Sequence, residues 1–499
     1  MFLGVDLGTS AVKAVLVDDA DRVIDQASAP LELSRPHPLW SEQDPDAWWA
    51  AACGAITALR GRRAAELGAV RAIGLAGQMH GAVLLDARDR VLRPAILWND
   101  GRSVAECAEL ERRAPDSRRI TGNLAMPGFT APKLLWVRAH EPASFARVAR
   151  VLLPKDMLRL RMTGEHVSEM SDAAGTLWLD VARRCWSRVM LEATGLDERA
   201  MPRLVEGTEP SGQLRAEVAA EWGVPPGAIV AGGAGDNAAG AVGVGVVSAG
   251  RALLSLGTSG VYFVATDRFA PCPERAVHAF CHALPRAWHQ MSVILSAASA
   301  VGWVTTLTGA ESEGALLAEV EREAEREHGG SRSLVFLPYL SGERTPHNDP
   351  NAKGVFFGMT HETTRASLAR AVLEGVAFAL ADGQDALLSA GTHIDDVTVI
   401  GGGAKSALWG RILAATLDRP LAYRTGGDVG PGFGAARLAR IARTGEDPVA
   451  ACPPPPLARV LEPDRALRER LLPRLELYRA LYRALQASFS SAAKEPVDD

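Results

Sequence analysis

Cysteine is scarce and scattered: six residues, at positions 53, 107, 185, 272, 281 and 452 of a 499-residue chain, in no spacing that builds a disulfide framework. Basic runs are missing too. With 54 Lys and Arg against 59 Asp and Glu the formal net charge is -5, and no electrostatic stripe marks a nucleic-acid surface. No apolar stretch reads as a membrane span, because the small-residue run from Ala231 to Gly250 carries Asp236, Asn237 and many glycines. The apolar start is broken by Asp6 within a few residues, so it reads as a buried strand and not a secretory segment, and a cytoplasmic location is expected. What remains, 47% hydrophobic and 23% charged, is the composition of a globular enzyme.

Zinc is also disfavoured. Cys272, His278, Cys281, His282 and His289 supply ligand types, but Cys272 lies in a loop between Pro271 and Pro273, and Val277 to Leu284 alternates like a strand. His278, Phe280 and His282 then share one face. Packing and hydrogen bonding are expected there, with no structural metal.

What is present is one loop written twice. Gly4-Val5-Asp6-Leu7-Gly8-Thr9-Ser10 and Leu254-Ser255-Leu256-Gly257-Thr258-Ser259-Gly260 each set glycine and hydroxyls between apolar runs, the pattern of a tight turn joining two buried strands. Glycine lets backbone N–H groups approach an anion, and Thr and Ser add donors. A lone turn of this kind is an ordinary hairpin. Two of them, half a chain apart, point to related halves gripping one nucleotide's phosphates. The copies differ where the first has Asp6 and the second Ser255, and a single carboxylate facing phosphates suits one hydrated Mg²⁺.

Met1 to Leu31 reads as an antiparallel meander with helices covering it. Asp44-Pro45 starts a helix running through Ile56 and Leu59. Val70 to Leu75 is a strand ending at Gln78-Met79-His80, and Val83 to Leu85 resumes β structure. Val224-Pro225-Pro226-Gly227 leads into Ile229-Val230-Ala231, expected to open the second half, so the chain divides into 1–225, 226–452 and a C-terminal helix and tail over 453–499. Thr364 to Leu388 reads as a helix buried on the face of Leu368, Ala371, Val372, Gly375 and Val376. Val397 to Ile400 is a strand running into Gly401-Gly402-Gly403, then a helix from Ser406 to Leu417. A last helix is expected over Pro463 to Phe489, and disorder over Ser490 to Asp499. The pattern is α/β with two lobes.

Asp236 lies in an almost side-chain-free loop, Ala231 to Gly240, where it can accept a hydroxyl proton or simply cap a helix. Gln78, Met79 and His80 suit a polyol, or an ordinary turn. Trp98-Asn99-Asp100-Gly101-Arg102 adds a planar surface and donors for sugar hydroxyls. Gly401 to Ser406 fails the Walker A pattern, since Ala404 precedes Lys405, yet a glycine turn opening a helix can still lie against a nucleotide.

Together, Asp6-Leu7-Gly8-Thr9-Ser10, Gly77-Gln78-Met79-His80-Gly81, Trp98 to Arg102, Gly235-Asp236-Asn237-Ala238-Ala239-Gly240, Gly257-Thr258-Ser259-Gly260, Gly401-Gly402-Gly403 and Phe336 to His347 resemble the FGGY carbohydrate kinase family over nearly the whole chain. One departure is Ala234, where similar proteins usually carry glycine. The resemblance implies two ribonuclease-H-like domains, of the actin, hexokinase and heat-shock ATPase type, with a cleft between them. It implies sugar binding by the first lobe, ATP binding by the second, and transfer from ATP to D-xylulose giving D-xylulose 5-phosphate. By motif, Asp236 is the base, Asp6 organises Mg²⁺, and Gln78, Met79, His80, Arg102, Asp236 and Asn237 contact sugar. Gly8, Thr9, Ser10, Gly257, Thr258, Gly402, Gly403 and Ser406 fall where such kinases bind ATP. A homodimer is left open. The alternatives are a relative acting on another ketose, polyol or sugar acid, and an actin- or heat-shock-like nucleotide switch without sugar substrate.

Overall fold

The computed structural model describes residues 1–325, 334–425 and 430–492. Its two large mixed sheets repeat one strand order. In the first, β1 (Phe2–Leu7), β2 (Ala11–Val17) and β3 (Val23–Pro30) form the antiparallel meander, and β4 (Ala72–Gly77) pairs with β1 in parallel. An antiparallel edge strand, β5 (Pro210–Gln213), pairs with β6 (Ile229–Ala231), giving the order β5-β6-β4-β1-β2-β3. The second sheet contains β7 (Arg251–Leu256), β8 (Gly260–Thr266), β9 (His278–Cys281), β10 (Trp288–Ile294), β11 (Asp396–Ile400), β12 (Leu421–Arg424) and β13 (Leu457–Leu461). Its order is β9-β10-β8-β7-β11-β12-β13. The hairpin β1–β2 thus corresponds to β7–β8, the parallel neighbour β4 to β11, β6 to β12, and the antiparallel edge β5 to β13. Both glycine and hydroxyl turns sit at the same place, the tip of the central hairpin.

Helices cover the sheets because their apolar stripes need partners. α1 (Pro45–Leu67) starts where Asp44 accepts from the Asp46 N–H, and Trp48, Ala52, Ile56 and Leu59 pack on Leu3, Val5 and Val12. α2 (Asp236–Gly243) follows the loop that carries Asp236. α3 (Arg365–Ser389), capped by the Thr364 hydroxyl, is buried from Ala371 to Gln384 on every side and not on one face. It lies between the second sheet and further helices, including α4 (Ala407–Leu417). α5 (Gly430–Thr444) crosses back onto the first sheet, packing on β1, β4 and α2. Glycines permit that contact: a Cβ on Gly4 would stand 1.8 Å from the Gly432 carbonyl oxygen, and one on Gly434 1.8 Å from that of Ala239. α6 (Arg465–Ala492) ends the described chain.

Two expectations are corrected. Ile229–Ala231 does not open the second half: it pairs in parallel with β4, Ile229 with Ala72 and Val230 with Ile73. A short buried strand looks the same in either sheet, because alternation says nothing of its neighbour. Ser490 and Ser491 are helical, their hydroxyls bonded back to Gln486 and Ala487. The rest of the expected tail, 493–499, lies outside the described residues. Among the described residues no helix is long and apolar enough to cross a membrane.

Candidate active site

Two cavities meet in the cleft. One, about 290 Å³, is lined by Met79, His80, Trp98 and Phe129 from the first lobe and by His278 and Arg344 from the second. The other, about 180 Å³, runs past Gly240, Gly243, Ile400 and Pro431. Asp236, Asn237 and Ser255 line both. A more open recess, about 540 Å³ between Arg88, Arg161 and Arg215, lies on the first lobe and contains none of the expected site residues.

Asp236 is the first residue of α2. Its Oδ1 accepts from the Asn237 backbone N–H at 2.7 Å and from Asn237 Nδ2 at 3.0 Å, and burial pushes the carboxyl up to about 6 despite those bonds. The loop behind it rests on charges that no solvent reaches. Arg159 donates to the carbonyls of Ala231 at 2.7 Å and Gly232 at 2.6 Å, and the Gly235 N–H donates to Ser171 Oγ at 3.1 Å. Ser171 in turn donates to Glu169, which shares Lys155 with Asp156 and Asp172. All five charged side chains are fully buried. A buried ion cluster of this kind leaves no local periodic signal in the sequence.

Asp6, at the end of β1, has one carboxylate oxygen buried without a hydrogen-bond donor. Burial, and then the negative charge of Asp236, holds its carboxyl up to about 7, opposed by Lys13, its cross-strand partner. An acceptor oxygen lacking a donor beside a second carboxylate is a fitting seat for a hard divalent cation.

His80 has φ 69° and closes the strand end. Its Nδ1–H donates to the Gly175 carbonyl at 2.7 Å, which leaves Nε2 as an acceptor, and burial lowers its pKa to about 3, so the ring stays neutral. The buried Lys133 Nζ holds the His80 and Gly128 carbonyls at 2.9 and 2.8 Å. Met79 and His80 face the sugar-sized cavity, as does Trp98.

Gln78 and Arg102 do not. Gln78 lies beneath the first glycine turn: Trp98 Nε1–H donates to Thr9 Oγ1 (2.9 Å), Thr9 to Gln78 Oε1 (3.1 Å), and Gln78 Nε2 to Gln43 Oε1 (3.1 Å). The Arg102 guanidinium pairs with Asp100 at 2.7 Å and Glu42 at 2.8 Å and stacks 3.6 Å from the Trp40 ring, with its side chain 1% exposed. Enclosed by Asp100, Glu42, Trp40 and Trp136, this arginine does not line the cavity.

Gly257 lines the cavity, and the exposed Thr258 follows it in the second turn. Gly8, Thr9 and Ser10 form the first turn, which Trp98 links to the cavity. Gly403 lies against the strand that leads into the second turn, since a Cβ on it would stand 2.9 Å from that of Leu256, whereas a Cβ on Gly402 would meet nothing within 4 Å. The Ser406 hydroxyl caps α4, accepting from the Trp409 N–H at 3.2 Å. In the histidine cluster, His278 and Phe280 face the cavity, whereas His282 bonds the Val246 carbonyl at 3.1 Å. Phe129 and Arg344 are cavity residues that sequence reading did not single out.

Residues 1–243 match the N-terminal domain, and residues 252–443 the C-terminal domain, of the FGGY family of carbohydrate kinases. Over 97% of this chain and 99% of its own length, the xylulose kinase of Escherichia coli K12 is 56% identical, and that of Klebsiella pneumoniae is 54% identical over 98% and 100%. The crystal structure of a xyloylose kinase from Brucella ovis superposes with a TM-score of 0.94 at 55% identity, covering 97% of this chain and 99% of that one.

Proposed function

The chain belongs to the FGGY family of carbohydrate kinases, and from that membership and the cleft geometry we propose the reaction it performs: ATP-dependent phosphorylation of D-xylulose to D-xylulose 5-phosphate. The observation that carries the residue roles is Asp236 at the junction of two cavities, one walled by aromatic and imidazole rings, the other mostly by glycine and aliphatic residues. Sugar fills the first and the phosphates reach in from the second.

Asp236 accepts the proton of the sugar hydroxyl as its oxygen attacks the γ-phosphorus. A carboxyl with its pKa near 6 is mostly ionised at pH 7 yet basic enough for that task. His80 Nε2 accepts from a second hydroxyl, the Asn237 amide orients the substrate, and Met79 covers its apolar face. Gly8, Thr9, Ser10, Gly257, Thr258, Gly402 and Gly403 present backbone and hydroxyl donors to ATP. Ser406 acts indirectly, fixing α4 behind the glycine turn. Gln78 supports Thr9 from below. Mg²⁺, when bound, supplies charge neutralisation for the triphosphate, and Asp6 is the residue that would hold it. Alignment and charge neutralisation carry most of the rate, since phosphoryl transfer asks little covalent chemistry of the protein. The same reading puts the protein in the cytoplasm, where its unpaired cysteines stay reduced.

The test is purified protein with ATP and Mg²⁺ across a panel of ketoses, polyols and sugar acids, read by ADP release and by mass of the phosphorylated product. D-xylulose should give the highest kcat/KM. ADP release that no sugar stimulates would end the reading.

A further inference from the structure

Arg344 brings a positive charge into the sugar cavity from the second lobe, and among the described residues no carboxylate forms an ion pair with it. Among the described residues its side chain makes one hydrogen bond, Nη1 donating to His278 Nε2 at 3.4 Å. That contact uses one of five N–H donors. The neighbouring Glu343 acts on its charge without forming an ion pair: Glu343 Oε1 accepts from the backbone N–H groups of Leu295 at 3.0 Å and Arg344 at 2.8 Å. Burial moreover pushes that carboxyl up to about 8, so it is mostly protonated at neutral pH. A half-buried guanidinium with no ion-pair partner keeps donors free for a ligand in the cavity.

The segment holding it is rigid. Thr345 N–H donates to the Val293 carbonyl (3.1 Å), Val293 N–H to Thr345 Oγ1 (3.1 Å), and Thr345 Oγ1 to the Ala276 carbonyl (2.9 Å). His278 is held in turn, its Nδ1–H donating to Asn123 Oδ1 at 3.1 Å, which leaves Nε2 to accept from Arg344. The cavity is therefore polarised. Asp236 and Asn237 form its acidic end, next to the phosphate side, whereas Arg344 acts electrostatically on His80 and His278.

We propose that Arg344 is a specificity-determining residue that reads the carbonyl end of a ketose, donating to the C2 oxygen and an adjacent hydroxyl while the terminal hydroxyl at the other end faces Asp236. The inference rests on the assignment of D-xylulose as substrate. A ketone oxygen is an acceptor only, and a fork of donors with no acceptor matches it; a polyol hydroxyl at the same position must also place a proton, for which the guanidinium has no acceptor. Because Arg344 and His80 belong to different lobes, a ketose held between them also ties the lobes together.

The experiment compares kcat/KM for D-xylulose and for xylitol, which carries a hydroxyl in place of the carbonyl, in wild type, Arg344→Gln and Arg344→Lys, with the KM for ATP measured alongside. Arg344→Gln should raise the D-xylulose KM at least about tenfold, leave the ATP KM within about twofold, and lower the ketose-to-polyol ratio about tenfold. Arg344→Lys keeps the charge without the fork and should fall between; it serves as the readout if the Gln protein does not fold. An unchanged ratio in a folded variant overturns the inference. So does an equal loss of kcat on both sugars at constant KM, which would put the guanidinium on the phosphoryl group. A wild-type protein inert toward D-xylulose overturns the substrate assignment first, and this inference with it.

Discussion

Asp6 and Asp236 stand close enough that, after burial, the charge of Asp236 is the main influence raising the Asp6 carboxyl to about 7. Two carboxylates in one cleft repel unless a proton or a cation sits between them.

Replacing Asp236 with Ala removes the proton acceptor and leaves the glycine turns intact. Sugar-dependent turnover should fall by about three orders of magnitude or more, while ATP affinity, measured by calorimetry, stays within a few-fold. Near-normal turnover would strip Asp236 of its role.

Acid should slow the enzyme. With its pKa near 6, Asp236 loses its acceptor form as pH falls, so kcat/KM should decline about tenfold per pH unit below that value. Stability of the ligand-free protein runs the other way. A carboxyl whose folded pKa exceeds its unfolded value favours the fold at low pH, and that advantage disappears as pH rises through about 6. Thermal melts without Mg²⁺ or ATP should therefore show Asp236→Asn gaining Tm relative to wild type between pH 4 and 7. A constant difference across that range would contradict the assigned shift.

Ser171 lines neither cleft cavity, yet its hydroxyl bridges the Gly235 N–H to Glu169. Ser171→Ala should cost about 1 to 3 kcal/mol in urea denaturation through the unmade buried bond. Loosening the turn before Asp236 should also lower kcat several-fold at unchanged ATP KM. A stability loss without a kcat effect would limit Ser171 to folding.

Gly4→Val tests the contact between α5 and β1. The Cβ has no room beside the Gly432 carbonyl, so the helix must shift, and the midpoint of urea unfolding should fall by the equivalent of about 3 kcal/mol or more. Gly61→Val, where nothing beyond its own helix turn lies within 4 Å of the added Cβ, is the control for β-branched substitution itself.

Both hairpins were legible because a glycine and hydroxyl turn between apolar runs is a local pattern, and the Asp44-Pro45 helix start was legible for the same reason. Asp236 stood out because few loops are so poor in side chains. Arg102 misled: a cation among Trp98, Asn99 and Asp100 has the same composition whether it meets a sugar or, as here, Glu42 and Trp40. Arg344 sits in the family-like stretch Phe336 to His347 with no role legible there, because it meets Phe129 only through tertiary structure, one after β10 and the other at the start of a first-lobe helix. Ile229 was given to the wrong sheet since strand partners are chosen by topology and not by local sequence.

Where α5 crosses α2 at Gly434, main chain rests on main chain. On either side of that point Ala238 and Val242 pack with Ala435 and Leu438, and Arg437 donates to the Val242 and Gly243 carbonyls. The helix that begins with Asp236 is thus clamped from below by a helix of the C-terminal half, and a side chain added at Gly434 would push both out of place.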